Sequence, residues 1–233
     1  MNHPIQCSLE NTARITKLLS ISSENRNQEW QSEFFAYLPN ACFMAGDPQV
    51  THGPDGFPYF ELYYTPPGYS GNYYCIESIL DTVLSQGLGI SIHRQKGSAE
   101  WVFTYGDLLN YKLTQYFYQL PDIDPSPDYI VSKELEQMMI VQPSEEFLPL
   151  ETRDILRSYL NYLGIESPQM MGIIRSSDRT QQPQLVFNLF PEDFKTEEEY
   201  KFRLYQLGWF LPEHYIVVGL SKDDEAISSF IPL

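Results

Sequence analysis

From Met138 to Leu220 the apolar residues alternate between two spacings, and the order of those spacings restricts the fold more than any other feature of the chain. A period of two marks a strand and a period of 3.6 marks a helix. Short apolar runs at 138–141, 170–174, 185–190 and 215–220 predict four strands. Ile155, Leu156, Tyr159, Leu160 and Leu163 form one stripe of a helix over 149–163, with Gly164 placed as its C-cap. Thr196 and Glu199 have the spacing of a capping box, opening a helix that carries Tyr200, Leu204, Leu207 and Leu211 and stops at Pro212. Polar residues 176–183 supply a turn. The order β-α-β-β-α-β predicts a ferredoxin-like C-terminal domain over 136–233, with both helices on one sheet face.

The N-terminal half is more mixed. Trp30, Phe34, Tyr37 and Leu38 predict a helix over 24–38 that ends at Pro39, and a weaker helix over 8–19 reads as part of an N-terminal appendage, 1–23. Residues 41–44 read as a strand closed by Gly46-Asp47-Pro48, and 52–56 as a turn. Residues 57–64 alternate as a half-buried strand. A helix bearing Ile76, Ile79, Leu80 and Val83 follows, ending at Gly87, and then an apolar strand over 88–92. Trp101, Phe103 and Tyr105 alternate in another strand, which leads into a helix with Leu108, Leu109, Leu113 and Tyr116. These elements predict a mixed α/β domain over 24–119. Between the halves, residues 120–135 combine prolines and aspartates in the manner of an acidic linker. The expected fold class is therefore α/β (α+β) in two small domains, with no internal repeat.

Charge narrows the partners. The chain has 233 residues, with 31 acidic against 15 basic side chains, a net charge of −16. Such a field repels phosphate backbones and anionic membrane surfaces, so neither nucleic acid nor membrane is the expected partner; the charge reads as a means of solubility, with a basic protein partner as the alternative. Cys7, Cys42 and Cys75 are odd in number and widely spaced, which argues against a disulfide framework and fits a reducing compartment. No signal-like apolar core occupies the first 30 residues, and no run approaches membrane-spanning length. The expected location is the cytoplasm.

Local catalytic motifs are missing. Gly87-Leu88-Gly89 follows a helix and lacks the third glycine of a dinucleotide fingerprint. His3, His52, His93 and His214 are scattered, and no Cys pair has metal-ligand spacing. A calcium loop starting at Asp122 would need glycine and glutamate where the chain has Pro127 and Lys133. Gly68-Tyr69-Ser70-Gly71 is not a nucleophile elbow. Cys42 and Cys75 read as buried apolar groups, and a Cys–His pairing with His93 is the one nucleophilic arrangement left open. The expectation is no catalytic residue, no metal and no cofactor.

One loop stands apart. Tyr63, Tyr64, Tyr69, Tyr73 and Tyr74 flank Pro66-Pro67-Gly68 and Ser70-Gly71-Asn72. Tyrosines in such turn-rich settings give rigid contact area at low entropic cost, so these five are the candidate partner-binding residues.

Leu148-Pro149 entering a helix, Leu185-Val186-Phe187-Asn188 on a strand, the later helix running into an apolar strand, and the run from Gly87 to Ile92 together resemble the SseB-like (enhanced serine sensitivity) family over residues 30–233. The resemblance implies two α/β domains. It brings no functional residue, because that family has no agreed biochemical activity. The resulting expectation is a non-enzymatic cytosolic binding or regulatory protein that neutralises a basic partner, with the charge logic of acidic immunity proteins. The alternative is an enzyme or small-molecule sensor with its site between the two domains.

Overall fold

A computed structural model describes residues 7–66, 68–93, 99–118, 138–175 and 183–233. The expected linker, 120–135, and nearly all of the expected turn at 176–183 lie outside these residues. The fold class is α/β, and the chain divides into two compact units, 1–117 and 118–233.

The first unit begins with helices α1 (Leu9–Leu19) and α2 (Gln28–Tyr37), each capped by a side chain that accepts from the first turn: Ser8 from the Asn11 N–H and Asn27 from the Trp30 N–H. Strands β1 (Phe43–His52) and β2 (Pro58–Tyr64) form an antiparallel hairpin across the expected turn. Helix α3 (Ile76–Ser85) then returns the chain to β3 (Gly89–His93), which pairs parallel to β2. Strand β4 (Ala99–Phe103) closes the sheet antiparallel, and Thr104 caps α4 (Tyr105–Thr114) through a capping box with Asp107. Tyr105, expected at the end of a strand, is instead the first residue of that helix. The sheet order is β1-β2-β3-β4.

Side-chain alternation divides the two faces of this sheet. Leu62, Ile90, Ile92 and Phe103 share one face and are fully buried. On the helices, Phe34, Ile76, Val83, Leu84, Leu108 and Leu109 are equally sealed, and Phe34 and Phe35 lay their rings against Trp101 at 5.7 and 5.2 Å.

Two expectations for this unit change. The helix read as an appendage is built into the core: Ile15, Leu18 and Leu19 are buried, Trp30 Nε1 donates to the Leu18 carbonyl, and the Cys42 N–H donates to Thr12 Oγ1. Its stripe is short, so most of the signal for burial comes from residues that meet it from 30–42. The strand expected to close at Gly46-Asp47-Pro48 continues to His52, because these residues bulge out of the ladder without ending it. The register advances from Ala45 to Val50 on β1 while β2 advances only from Leu62 to Phe60, and the Asp47–Pro48 peptide is cis.

The second unit contains β5 (Met138–Val141), α5 (Leu150–Tyr162), β6 (Gln169–Arg175), β7 (Gln184–Phe187), α6 (Glu197–Leu207) and a short β8 (Ile231–Pro232). Thr196 accepts from the Glu199 N–H as the capping pair predicts, although the Glu199 carboxylate reaches back to the Lys195 N–H. Tyr159 donates to Gln206 Oε1 at 3.0 Å, so α5 and α6 are neighbours. Met171, Ile173 and Val186 pack with Val218, Leu220 and Ala226 on one sheet face.

The first five elements of this unit come in the expected order, but the pairing is not ferredoxin-like. A split βαβ leaves a gap beside its first strand for a later strand to fill. Here β5 bonds directly to β6, antiparallel, and β6 to β7, so these three strands lie in sequence order, while the short β8 pairs antiparallel with the start of β6. The expected final strand, 215–220, shrinks to a single parallel bridge of Val217 with Leu185, made by two hydrogen bonds of 2.8 and 2.9 Å. The ladder stops because the next carbonyl on the same edge, Phe187, accepts from the Leu189 N–H at 2.7 Å. Asn188 then turns to bond Gln169 and Ser167. Gly219 is required in this segment, since a Cβ there would fall 1.7 Å from the Tyr200 hydroxyl.

Candidate functional site

Strands β2 and β3 are the parallel pair of the first unit, and the loop leaving β2 toward α3 is the tyrosine-rich segment. Open α/β sheets place their ligands outside the carboxyl ends of such strands. Two groups of side chains meet that description.

The first is polar and was not foreseen. Register sets Glu61 opposite Ser91 and Tyr63 opposite His93. Parity places Thr51, Tyr59, Glu61, Tyr63, Ser91 and His93 on the face away from Leu62 and Ile92. A strand face of this composition reads as solvated, yet Glu61 and Ser91 are only 4% and 5% exposed. The β1 bulge explains the burial. A Cβ on Gly46 would lie 2.7 Å from the Glu61 Cβ and 3.0 Å from the Tyr63 ring, so the bulged backbone lies directly over them.

Within this cover, His93 Nε2 sits 2.5 Å from Glu61 Oε2 and 2.8 Å from Ser91 Oγ, while Glu61 Oε1 accepts from the Thr51 hydroxyl. The Tyr63 ring stacks on the imidazole at 5.3 Å and 19°. Burial is graded, since the His93 side chain keeps 19% of its surface against 6% for Glu61. The imidazole thus connects a sealed carboxylate to the surface. Ser, His and Glu are the constituents of a nucleophilic relay, but in a relay the acid and the hydroxyl occupy opposite ring nitrogens. Both use Nε2 here. The cluster offers sealed polar groups to a polar ligand; its geometry is not that of acyl transfer.

The second group is the predicted loop, and its five tyrosines separate into two kinds. Tyr63 and Tyr64 are the last residues of β2, the one against His93 and the other against Phe43 at 5.6 Å. Tyr74 exchanges both backbone hydrogen bonds with Phe43 and meets Phe60 edge-on at 6.2 Å. These three serve the sheet. Tyr69 and Tyr73 do not. Their rings meet edge-to-face at 5.4 Å, the Tyr73 hydroxyl donates to the Tyr69 carbonyl at 2.7 Å, and the Tyr69 hydroxyl donates to the Asn72 carbonyl at 3.2 Å. Tyr73 is exposed, as are Gly68, Ser70, Gly71 and Asn72 around it. The loop is thereby an aromatic corner braced by its own backbone.

Other candidates resolve plainly. His93 is engaged by Glu61 and Ser91, so the Cys–His pairing left open for it is not made. His214 is half-buried with its ring edge-to-face against Tyr215, and that burial lowers its pKa. Among the described residues, no group of three or more His, Cys, Asp or Glu is placed to hold a metal ion. Among them, too, no helix is long and apolar enough to cross a membrane. No protein family, curated protein or solved structure matches the chain.

Proposed function

We propose that this chain is a non-enzymatic, cytoplasmic binding protein that captures a basic protein partner through the Tyr69–Tyr73 corner. The observation that carries the reading is the mutual bracing of these two rings in an otherwise exposed loop. Pre-ordered aromatic side chains lose little entropy on docking, and they dominate the binding energy of many interfaces. The net charge of −16 supports a basic partner, because it accelerates encounter with one and repels acidic competitors. The SseB-like assignment belongs to the same proposal and is supported by the succession of two α/β units. The test is affinity capture from native lysate at low and high salt, followed by titration of the purified partner. Tyr69→Ala/Tyr73→Ala should weaken binding by at least about tenfold without unfolding the chain. Retention of full affinity by that variant would sink the reading.

A second reading, a small-ligand sensor, is favoured by the sealed Glu61 carboxylate beside His93. Under it, a metabolite would raise the melting temperature of the wild-type chain but not of Glu61→Gln.

A further inference from the structure

The three cysteines are far apart in sequence and adjacent in the first unit. Phe43 and Tyr74 form an isolated antiparallel pair, exchanging N–H···O bonds of 2.8 and 2.9 Å. The next position along that pair sets Cys42 opposite Cys75. It is a non-hydrogen-bonded position, and accordingly the Cys42 N–H turns away to Thr12 Oγ1 and the Cys75 N–H to Ser78 Oγ. In such positions the Cα atoms approach to about 4.5 Å and the side chains leave on the same face. Disulfides span Cα separations of about 4.4–6.8 Å, so Cys42 and Cys75 can be bridged without moving the backbone.

Cys7 is delivered to the same place by its neighbour. Ser8 forms a parallel bridge with Ala41, its N–H donating to the Asn40 carbonyl at 2.7 Å. That bridge carries Cys7 alongside the segment that holds Cys42, and the Cys7 thiol lies close enough to Cys75 and Cys42 for both to act on it. Exposure is unequal: Cys42 and Cys75 are sealed, and Cys7 is partly open to solvent.

We propose that Cys7, Cys42 and Cys75 form a thiol–disulfide exchange site that is entered through Cys7, closes on Cys75 and takes a low-molecular-weight disulfide as oxidant. Cys7, as thiolate, attacks one sulfur of the disulfide RSSR, giving a mixed disulfide and releasing RS⁻. Cys75 then attacks the Cys7 sulfur and expels the second RS⁻. In sum, RSSR and two protein thiols become one protein disulfide and two RSH, with the protein sulfurs oxidised and the two protons carried off on the product thiols. Cys42, opposite Cys75, can displace Cys7 from that bond with no further change in oxidation state.

Position gives the site a meaning. Cys75 is the N-cap of α3, its N–H donating to Ser78 Oγ and its carbonyl accepting from the Ser78 N–H, and it is the residue at which the tyrosine loop ends. A bond formed there fixes the foot of the loop. Burial, and then Cys75 beside it, pushes the Cys7 thiol up to about 12, so little thiolate is present and exchange is slow at neutral pH.

The experiment exposes the folded full-length chain to excess oxidised glutathione at mildly alkaline pH, then counts thiols after denaturation and maps peptides without reduction. The wild type should lose two of its three thiols, and Cys75 should occur in every intramolecular disulfide found. Cys7→Ser should slow that loss by about tenfold or more, since it removes the entry thiol. Cys75→Ser, which keeps an N-cap oxygen and so keeps α3, should stop at a glutathione adduct on Cys7. Cys42→Ser should still yield the Cys7–Cys75 bond. Three thiols surviving in the folded chain, disulfides only between chains, or a Cys7→Ser variant oxidising at the wild-type rate would each overturn the proposal.

Discussion

Both units build a hairpin followed by a helix and a parallel return, and they finish it differently. In the first, β3 completes a five-pair ladder with β2, from Tyr59–Gly89 to Tyr63–His93. In the second, the return beside β7 is the single Leu185–Val217 bridge. The middle of the first ladder pairs Glu61 with Ser91, both polar and sealed, whereas the second holds two aliphatic residues at its bridge. The same connection is therefore made with or without a buried polar group. A parallel return does not by itself call for Glu61, Ser91 and His93, so their burial is particular to the first unit.

The largest expected effect breaks the longer ladder. Ile92→Ala removes a fully buried side chain from β3 and should cost about 2–5 kcal/mol in denaturant melts. Val217→Ala, at the lone bridge, should cost roughly half of that. Equal costs would mean that the two returns are equivalent despite their hydrogen bonding.

Next in size is the polar cluster. Glu61→Leu leaves the Thr51 hydroxyl without its acceptor and removes the carboxylate beside His93, and should destabilise by about 1–3 kcal/mol. Glu61→Leu combined with Ser91→Val and His93→Leu makes this return apolar like the second one, and it should recover most of that loss. A triple variant as unstable as the single one would make the cluster structural.

Titration distinguishes the units further. Burial raises Tyr200 and Tyr215 in the second unit to about 12, and Tyr159 also rises. In the first unit burial, and then Glu77, raises Tyr111 to about 12. A raised phenol favours the folded, neutral form, so its stabilisation is whole below the ordinary value of 10.0 and is lost as pH climbs toward 12. Tyr200→Phe/Tyr215→Phe should move the alkaline unfolding midpoint up more than Tyr111→Phe does. His214 has the opposite sign. Its folded pKa lies below 6.5, so its contribution is whole above 6.5 and is lost as pH falls below that value; His214→Gln should flatten this acid slope.

The smallest effect is Tyr73→Phe, which deletes an exposed hydrogen bond to the Tyr69 carbonyl and should cost about 0.5 kcal/mol or less. Its use is to loosen the corner while leaving both rings in place.

How much of this was legible in the sequence follows from the range of each interaction. Helix stripes such as Leu156, Tyr159 and Leu160, and the Thr196–Glu199 cap, are set within one or two turns and can be read directly. Strand pairing is non-local, so β-α-β-β-α-β suits either ferredoxin-like or sequential order, and the Phe187–Leu189 hydrogen bond that truncates the last ladder leaves no pattern in composition. Glu61 sits at the solvent phase of a strand and is buried only because residues 46–49 bulge over it; Gly46, which tolerates that approach, was the one available signal. The tyrosine loop was visible as a loop. Its division into Tyr63, Tyr64 and Tyr74 against Tyr69 and Tyr73 depends on the Phe43–Tyr74 pair. The cysteines were misleading for the same reason, because wide spacing along the chain concealed adjacency across it.

The most direct test of the recognition account is the dissociation constant of the purified basic partner for the wild type and for Tyr69→Ala/Tyr73→Ala, with melting temperatures measured alongside. The account predicts at least about a tenfold loss of affinity at unchanged melting temperature, with wild-type binding weakening as salt rises. Equal affinities for the two proteins would contradict it.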